Sequence, residues 1–270
     1  MNPLERLVVR VAELPGVRVL GRPLYRGYFR RPYRGGNAYY GVYPGFADAL
    51  AAAPAGVSTS YDVDAATTMY RGEFEQVRAY DYPVIYWLSR LMAEGVRDVF
   101  DLGGHLGQAY YGFRRYVDYP PGLRWRVHDV PKVMQAGRRW ADEHDQSGAL
   151  QFADQAADAD GCDLLITTGA LQYLAYSLPE LLGGLADPPP GVIVNLVPMH
   201  PERAYFTLQN LGIAICPYRV MCLPAFLDEM AALDYALRDR WELPERHIRV
   251  PFERAATIDA YHGMYFARSA

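Results

Sequence analysis

Short apolar runs alternate with amphipathic segments along the chain from about residue 95 onward. β-branched and aromatic content in the apolar runs predicts five strands: "VRDVFDL", "LRWRVHDV", "ALQFAD", "CDLLITTG" and "GVIVNLVP". Helix-like segments stand between these strands, among them "LGQAYYGFRRYV", "PKVMQAGRRWADEH" and "SLPELLGGLA". Strands that alternate with helices predict an α/β fold with a doubly wound, mostly parallel sheet.

The end of the chain departs from this alternation. "DYALRDRWEL" and "DAYHGMYFAR" predict two strands with no helix of normal length between them. Such strands pair with each other in an antiparallel arrangement. The pattern therefore predicts a seven-stranded sheet whose C-terminal strand pair is antiparallel.

The first ninety residues follow a different pattern, because they are rich in Gly, Pro, Tyr and Arg and contain only short helical pieces. "GFADALAAAP", "EFEQVRAY" and "PVIYWLSRLMAEG" predict helices in or near this part. We therefore divide the chain into an N-terminal, partly helical extension (1–90) and a nucleotide-binding type of domain (91–270). The extension could cap an acceptor site or serve as an oligomer arm.

Composition excludes several classes of protein. A chain of 270 residues with 51% apolar content can bury a full core, and a net charge of -4 argues against a protein built to hold nucleic acid. No apolar run is long enough to predict a membrane span, and the first residues do not resemble a signal peptide. The three cysteines, Cys162, Cys216 and Cys222, form no CxxC motif, which favours a reducing, cytoplasmic location.

The stretch "VFDLGGHLGQAYYGF" carries the strongest chemical signal. Asp101 ends the first strand of the alternating part, and Gly103, Gly104 and Gly107 follow in the loop. In a parallel open sheet, ligands bind beyond the carboxyl ends of the strands, and glycines there let the backbone approach the ligand. The pattern is D-x-G-G-x-x-G, which differs from the dinucleotide pattern G-x-G-x-x-G. A strand-end acid suits the α-ammonium group of S-adenosylmethionine better than it suits a pyrophosphate.

Further candidate cofactor contacts stand at the ends of later strands. Asp129 closes the second strand, where a carboxylate can accept both ribose hydroxyls. Asp154 ends the third strand and could meet the adenine amino group, and Thr168 ends the fourth. A ribose acid serves both S-adenosylmethionine and NAD(P), and strand-end acids are also common as solvated caps. An NAD(P)-dependent oxidoreductase therefore stays open as an alternative.

Several segments together resemble a bacterial family of S-adenosylmethionine-dependent methyltransferases, often encoded beside genes for surface-polysaccharide or secondary-metabolite biosynthesis. The resemblance runs from about residue 40 to the end, on "VFDLGGHLGQAYYGF", "WRVHDVPKVMQAG", "CDLLITTGALQYL", "TLQNLGIAICPYRV" and "YHGMYF". It implies a class I methyltransferase (Rossmann-like) fold, with Asp101 and the loop glycines as first motif and Asp129 as the ribose acid. Many relatives have Glu where this chain has Asp129.

Methyl transfer to a hydroxyl needs placement of the acceptor in line with the breaking bond and removal of its proton. Candidate bases are His105 in the glycine loop, Tyr173 after the fourth strand and His200 after the fifth. Each could instead be structural, and His105 in particular could pack within its loop. The end of the fourth strand carries no acid, and we predict no metal site.

An aromatic and polar insertion, 198–222, follows the fifth strand and could form a wall of the acceptor site. Its candidate contacts are Tyr205, Gln209, Tyr218 and Arg219. The alternative is a lid or packing segment that does not touch the acceptor.

The segment 18–34 combines six arginines with aromatic residues and contains no acid. It could bind an anionic acceptor such as a phosphorylated sugar, since Arg pairs bidentately with phosphate. It could also pack on its own domain or on a second copy in a homodimer.

The sequence as a whole favours methyl transfer from S-adenosylmethionine to a small-molecule or glycan acceptor, at oxygen. The alternatives are an NAD(P)-dependent oxidoreductase and a non-catalytic, methyltransferase-like scaffold subunit.

Overall fold

The computed structural model describes residues 16–31, 37–68 and 76–268. The helices in these ranges are α1 (Arg18–Phe29), α2 (Phe46–Ala52), α3 (Tyr82–Ala93), α4 (Gln108–Phe113), α5 (Pro131–His144), α6 (Leu178–Gly183) and α7 (Leu223–Ala232). The strands are β1 (Ala38–Tyr43), β2 (Asp98–Leu102), β3 (Arg124–His128), β4 (Leu150–Phe152), β5 (Leu164–Thr168), β6 (Gly191–His200), β7 (Tyr205–Asn210), β8 (Ile215–Cys222), β9 (Tyr235–Leu243) and β10 (Tyr261–Arg268).

The alternating part of the chain forms the predicted parallel sheet. β2 pairs in parallel with β3 and β5, β3 pairs with β4, and β5 pairs with β6. β10 lies antiparallel between β6 and β9. The predictions of a doubly wound α/β fold and of an antiparallel C-terminal pair are therefore confirmed.

The predicted number of seven strands is wrong, because the sheet contains ten strands within the described residues. The three additional strands are β1, β7 and β8, which form an antiparallel group joined to the end of β6. The segment interpreted as an insertion, 198–222, thus includes two strands, and the extension contributes a third. Pairing of β1 with β7 joins residues far apart in the sequence, and local patterns do not reveal such pairing.

Two predicted helices also differ from the structure. The helix after β2 is shorter than "LGQAYYGFRRYV" suggested, since α4 ends at Phe113. Within "EFEQVRAY", residues 73–75 lie outside the described ranges. The rest is irregular until a single 3₁₀ turn, Ala79–Asp81, which leads directly into α3. This sharp turn before α3 brings side chains of the extension over the edge of the sheet.

The core lies on both faces of the parallel strands. On β2, Val99 packs into one apolar cluster with Leu88 and Trp125, whereas the next residue, Phe100, packs into the other cluster. Successive side chains of a strand point to opposite faces, so a strand covered on both sides is apolar throughout. This explains why β5 and β6 were readable as nearly continuous apolar runs.

Helix α1 packs on its own chain. Tyr25 and Phe29 are buried, and the Tyr25 hydroxyl donates a hydrogen bond to the backbone oxygen of Tyr39, at 3.0 Å. Arg22 forms an ion pair with Glu253 at 2.6 Å. These contacts fit the interpretation of segment 18–34 as a packing element over 18–31, while 32–34 lie outside the described residues.

A β-bulge interrupts β6 near its carboxyl end. Two β6 residues, Asn195 and Leu196, lie opposite the single β10 residue Gly263, and Leu196 has a positive φ of 57°. Bulges bend a strand and redirect its side chains. Beyond this bulge, the last residues of β6 pair with β8.

Asn195 joins the extension to the sheet at this bulge. Its side chain is fully buried, donates to the backbone oxygen of Tyr80 at 3.0 Å and accepts from the Trp241 indole N–H at 3.0 Å. The turn at Ala79–Asp81 is therefore fixed to β6 by a hydrogen bond from a fully buried side chain.

Substituting Asn195→Ala should lower the free energy of unfolding by about 1–2 kcal/mol, because a half-buried carbonyl and a half-buried indole N–H would each lose their partner. Urea denaturation followed by circular dichroism would measure the change. The exposed Gln146 is a control, since Gln146→Ala should change stability by less than about 0.5 kcal/mol. Equal stability of the two variants would contradict the role assigned to Asn195.

Candidate functional site

The loop between β2 and α4 is a tight turn that requires glycine at particular positions. Gly103 and Gly107 have φ values of +77° and +89°. A Cβ on Gly103 would lie 2.1 Å from the Cβ of Ala170, and a Cβ on Gly104 would lie 2.4 Å from the carboxyl carbon of Asp101. The glycines therefore serve two needs, a left-handed backbone and close approach to neighbouring groups.

Asp101 lies fully buried beneath this loop. Its Oδ2 accepts a hydrogen bond from the Trp125 indole N–H at 3.1 Å, while its Oδ1 is buried without a hydrogen bond. Burial and, to a smaller extent, the negative charge of Asp129 raise the pKa of Asp101 to about 7, against the lowering effect of the Trp125 hydrogen bond. The carboxyl group is thus poised to hold a proton or to meet a cationic group.

Asp129 stands directly after β3, as the sequence predicted, and it is half-buried. Its Oδ2 accepts from the backbone N–H of His105 at 2.9 Å, and its Oδ1 accepts from that of Val130 at 2.7 Å. Burial raises the pKa of Asp129, although these hydrogen bonds oppose the shift. The carboxylate therefore stabilises the glycine loop, and its remaining lone pairs could accept hydrogen bonds from hydroxyl groups of a ligand.

The other two predicted cofactor contacts lie in different surroundings. Thr168, at the end of β5, lines a cavity next to the glycine loop. Asp154 lies beyond β4 and pairs with Arg138 at 2.6 Å, with 80% of its side chain exposed. The structure thus brings Thr168 and the glycines together and leaves Asp154 at the surface.

The cavity lies where the carboxyl ends of β2, β5 and β6 meet α4 and the extension. Its lining comprises Gln76, Arg78, Tyr80, Asp81, Gly103, Gly104, Gln108, Ala109, Gly112, Phe113, Thr168 and Leu196. Sequence reasoning missed the contribution of the extension, since "EFEQVRAY" had the pattern of a surface helix. Its charged residues gave no signal that they would reach the glycine loop.

The three candidate bases do not form one cluster, and none of them lines this cavity. His105 Nε2 hydrogen-bonds to the backbone oxygen of Ala66 at 3.1 Å. Tyr173 donates to Gln209 Oε1 at 2.8 Å. Both rings lie near the Tyr61 ring, with centroid distances of 6.3 Å for His105 and 6.5 Å for Tyr173.

His200 is the last residue of β6 and lies apart from the other two. Its Nε2 hydrogen-bonds to the backbone oxygen of Ala255 at 3.0 Å, and its Nδ1 accepts from the backbone N–H groups of Glu202 and Arg203. Both ring nitrogens are therefore engaged, and the side chain is 7% exposed. In this arrangement the imidazole stabilises the turn after β6.

The four candidate acceptor contacts belong to the additional strands. Tyr205 donates to the backbone oxygen of Ala256, and Arg219 donates to that of Ala175 at 3.0 Å. Gln209 and Tyr218 belong to a buried network in which Gln209 donates to the Tyr39 hydroxyl at 3.2 Å. In the same network the Tyr218 and Tyr261 hydroxyls lie 2.8 Å apart. Burial raises the pKa of Tyr218 well above its ordinary value, so this phenol stays protonated and acts through hydrogen bonds.

No protein-family model and no curated protein sequence matches the chain. Solved structures match it in fold. A candidate sarcosine dimethylglycine methyltransferase from Galdieria sulphuraria has a TM-score of 0.52 and 12% identity, and the match covers 78% of this chain and 99% of that one. Magnesium protoporphyrin IX methyltransferase from Synechocystis PCC 6803, with bound S-adenosylhomocysteine, has a TM-score of 0.50 and 12% identity, covering 78% and 98%. The chain therefore has a class I methyltransferase-like fold.

The described ranges contain no helix that is both long and apolar enough to cross a membrane. Across 16–31, 37–68 and 76–268, no three His, Cys, Asp or Glu side chains come together in a way that could hold a metal ion.

The loop glycines serve two needs, a left-handed backbone and close approach to neighbouring groups. Comparison of two glycines with the same φ measures these needs separately. Gly103 and Gly122 both have a φ of +77°, but a Cβ on Gly122 would meet nothing within 4 Å. We expect Gly122→Ala to cost about 1–2 kcal/mol of unfolding free energy through the left-handed conformation alone. Gly103→Ala should cost about 1–3 kcal/mol more through overpacking against Ala170. Urea denaturation of both variants measures the difference, and equal costs would rule out the close contact.

The raised pKa of Asp101 also predicts a pH dependence of stability. The folded state binds this proton more tightly than the unfolded chain does, so the contribution of Asp101 to stability falls as pH rises from about 4 to about 7 and is constant above. Asp101→Asn should remove this contribution and flatten the profile of unfolding free energy against pH. An unchanged profile in the variant would show that Asp101 titrates near its ordinary pKa.

Proposed function

We propose that this protein is an S-adenosylmethionine-dependent methyltransferase that transfers a methyl group to the oxygen of a small-molecule or glycan acceptor. The observation that carries the proposal is the glycine loop at the end of β2. There, a buried carboxyl with one oxygen lacking a hydrogen bond lies beneath a backbone that no Cβ could occupy. Such a loop within a methyltransferase-like fold fits a ligand that has a cationic end and no phosphate.

The residues fit this cofactor, whose sulfonium group supplies an electrophilic methyl when bound. We assign Gly103, Gly104 and Gly107 to close approach of the backbone, and Asp129 to the ribose hydroxyls. The half-buried position of Asp129 beside the loop supports this role. Thr168 would contact the cofactor from the end of β5, since it lines the same cavity. Asp154 remains a candidate contact of the adenine amino group. Its ion pair with Arg138 would have to rearrange for this contact to form.

Removal of the acceptor proton is assigned to one of His105, Tyr173 and His200. Burial lowers the pKa of His105, so its imidazole is neutral and able to accept a proton at neutral pH. His200 would first have to release a hydrogen bond, because both its nitrogens are engaged. His105 is accordingly the first residue to test as a base.

The acceptor would lie against the additional strands, with Tyr205, Gln209, Tyr218 and Arg219 as its candidate contacts. The buried network around Gln209 and Tyr218 supports a wall that donates and accepts hydrogen bonds, as a polyhydroxylated molecule requires. The family that the sequence resembles suggests a bacterial surface polysaccharide or secondary metabolite as the source of the acceptor. A cytoplasmic location follows from the cysteine pattern, and α1 is the element that a homodimer could use.

The second candidate function is a non-catalytic scaffold subunit that retains the cofactor loop. One observation favours it: none of the three candidate bases lines the cavity beside the loop. An intact loop without a placed base would bind the cofactor and leave the methyl group untransferred.

Isothermal titration calorimetry with S-adenosylmethionine, S-adenosylhomocysteine and NADH tests the proposal. We expect the two sulfur nucleosides to bind with micromolar dissociation constants and NADH to show no binding. Asp129→Ala should weaken both nucleosides about tenfold or more, because the ribose hydroxyls lose a charged acceptor. Asp118→Ala, which removes an exposed acid that does not line the cavity, serves as the control.

Binding of NADH instead of the nucleosides would replace the proposal with the oxidoreductase alternative. Binding of the nucleosides without methyl transfer to any member of an acceptor panel of sugars, phenols and carboxylic acids would favour the scaffold.

A further inference from the structure

Two oppositely charged residues of the extension line the cavity beside the glycine loop. Arg78 and Asp81, both from the extension, line the same cavity as Gly103 and Gly104. Asp81 is half-buried, and its Oδ2 accepts a hydrogen bond from the backbone N–H of Arg78 at 2.9 Å. The cavity therefore has one positive and one negative side chain on its extension side.

The turn that carries these charges is held in place from several directions. Asn195 binds the backbone oxygen of Tyr80, and Arg246 donates to the Tyr80 hydroxyl at 3.1 Å. Helix α3 begins immediately after Asp81, with Pro83 in its first turn. Because the sheet and a helix both fix this turn, Asp81 keeps its place at the cavity without a ligand to order it.

Asp81 carries a negative charge at neutral pH. Burial raises its pKa to about 6, while the hydrogen bond from Arg78 and the charges of Arg78 and Arg246 oppose the shift. A carboxylate that is partly removed from water and still ionised gains most from a cation that comes close to it. The cavity thus presents an acceptor for an ammonium group.

Asp101 does not line this cavity, because it lies fully buried on the other side of Gly104. The sequence pattern assigned the α-ammonium group of the cofactor to Asp101. Asp81 is a second candidate partner for this group, and it is accessible from the cavity. The amino-acid end of S-adenosylmethionine carries one ammonium and one carboxylate on the same carbon. Arg78 and Asp81 offer the two complementary charges within one turn of chain.

We propose that Arg78 and Asp81 bind the amino-acid end of the cofactor, with Asp81 accepting hydrogen bonds from the α-ammonium and Arg78 donating to the α-carboxylate. The inference rests on the proposed function and assigns part of the cofactor site to the extension. The extension would then be required for cofactor binding, in addition to any contact with the acceptor.

Comparison of two ligands measures how much the amino-acid end of the cofactor contributes to binding. S-adenosylhomocysteine has the amino-acid end, and 5′-methylthioadenosine has the same adenosine and thioether without it. Calorimetric titration of the full chain with each ligand at neutral pH would use wild type, Asp81→Asn, Arg78→Gln and the control Asp228→Asn. Asp228 is exposed on α7 and does not line the cavity.

We expect Asp81→Asn and Arg78→Gln each to weaken S-adenosylhomocysteine about tenfold or more, because each removes one charge-assisted contact. Both variants should bind 5′-methylthioadenosine as wild type does, within about twofold, which also shows that they are folded. Asp228→Asn should bind both ligands unchanged.

The remaining outcomes separate this inference from the proposed function. Equal weakening of both ligands, or no weakening of either, in the Asp81 and Arg78 variants would overturn the inference while wild-type binding still supports the cofactor. Failure of wild type to bind either ligand would overturn the proposed function and this inference with it.

Discussion

The close approach of three backbone segments at the carboxyl edge of the sheet is the constraint on which the site depends. Gly103 lies against Ala170 and Gly104 lies over the Asp101 carboxyl, at separations that leave no room for a Cβ. Asp129 then holds the same loop through the backbone N–H of His105. A buried carboxyl oxygen without a hydrogen bond costs stability, and folds keep such features where a proton or ligand offsets them.

The bulge in β6 couples this edge to the rest of the chain. The bulge places Leu196 in the lining of the cavity. It also places Asn195 where its side chain binds the turn at Ala79–Asp81, which carries other lining residues. A regular strand would have directed these side chains to opposite faces. Beyond the bulge, the end of β6 pairs with β8. The cavity is therefore assembled from the sheet, from α4 and from the extension.

The sequence predicted those parts of the fold that depend on local patterns. Strands β5 and β6 were readable because they are almost wholly apolar and buried on both faces, and β3 because its apolar residues alternate with polar ones. The D-x-G-G-x-x-G pattern located the loop because its glycines are needed for backbone geometry. Strand β1 was missed because its partner is more than 160 residues away, and β7 and β8 were read as an insertion because they mix polar and aromatic residues. Asp81 was missed for a related reason, since a single 3₁₀ turn fixes its position and leaves no periodic signature.

The protonation states of the buried groups limit how the proposed reaction could proceed. Burial raises the pKa values of Tyr39, Tyr218 and Tyr261, so these phenols stay protonated and do not act as bases near neutral pH. His105 is neutral there, yet its Nε2 is already hydrogen-bonded to Ala66. Methyl transfer is an in-line displacement whose rate depends strongly on alignment of the reacting atoms. A rigid cofactor loop facing a rigid hydrogen-bonding wall would supply that alignment, and proton transfer could follow to whichever neutral group the bound acceptor reaches.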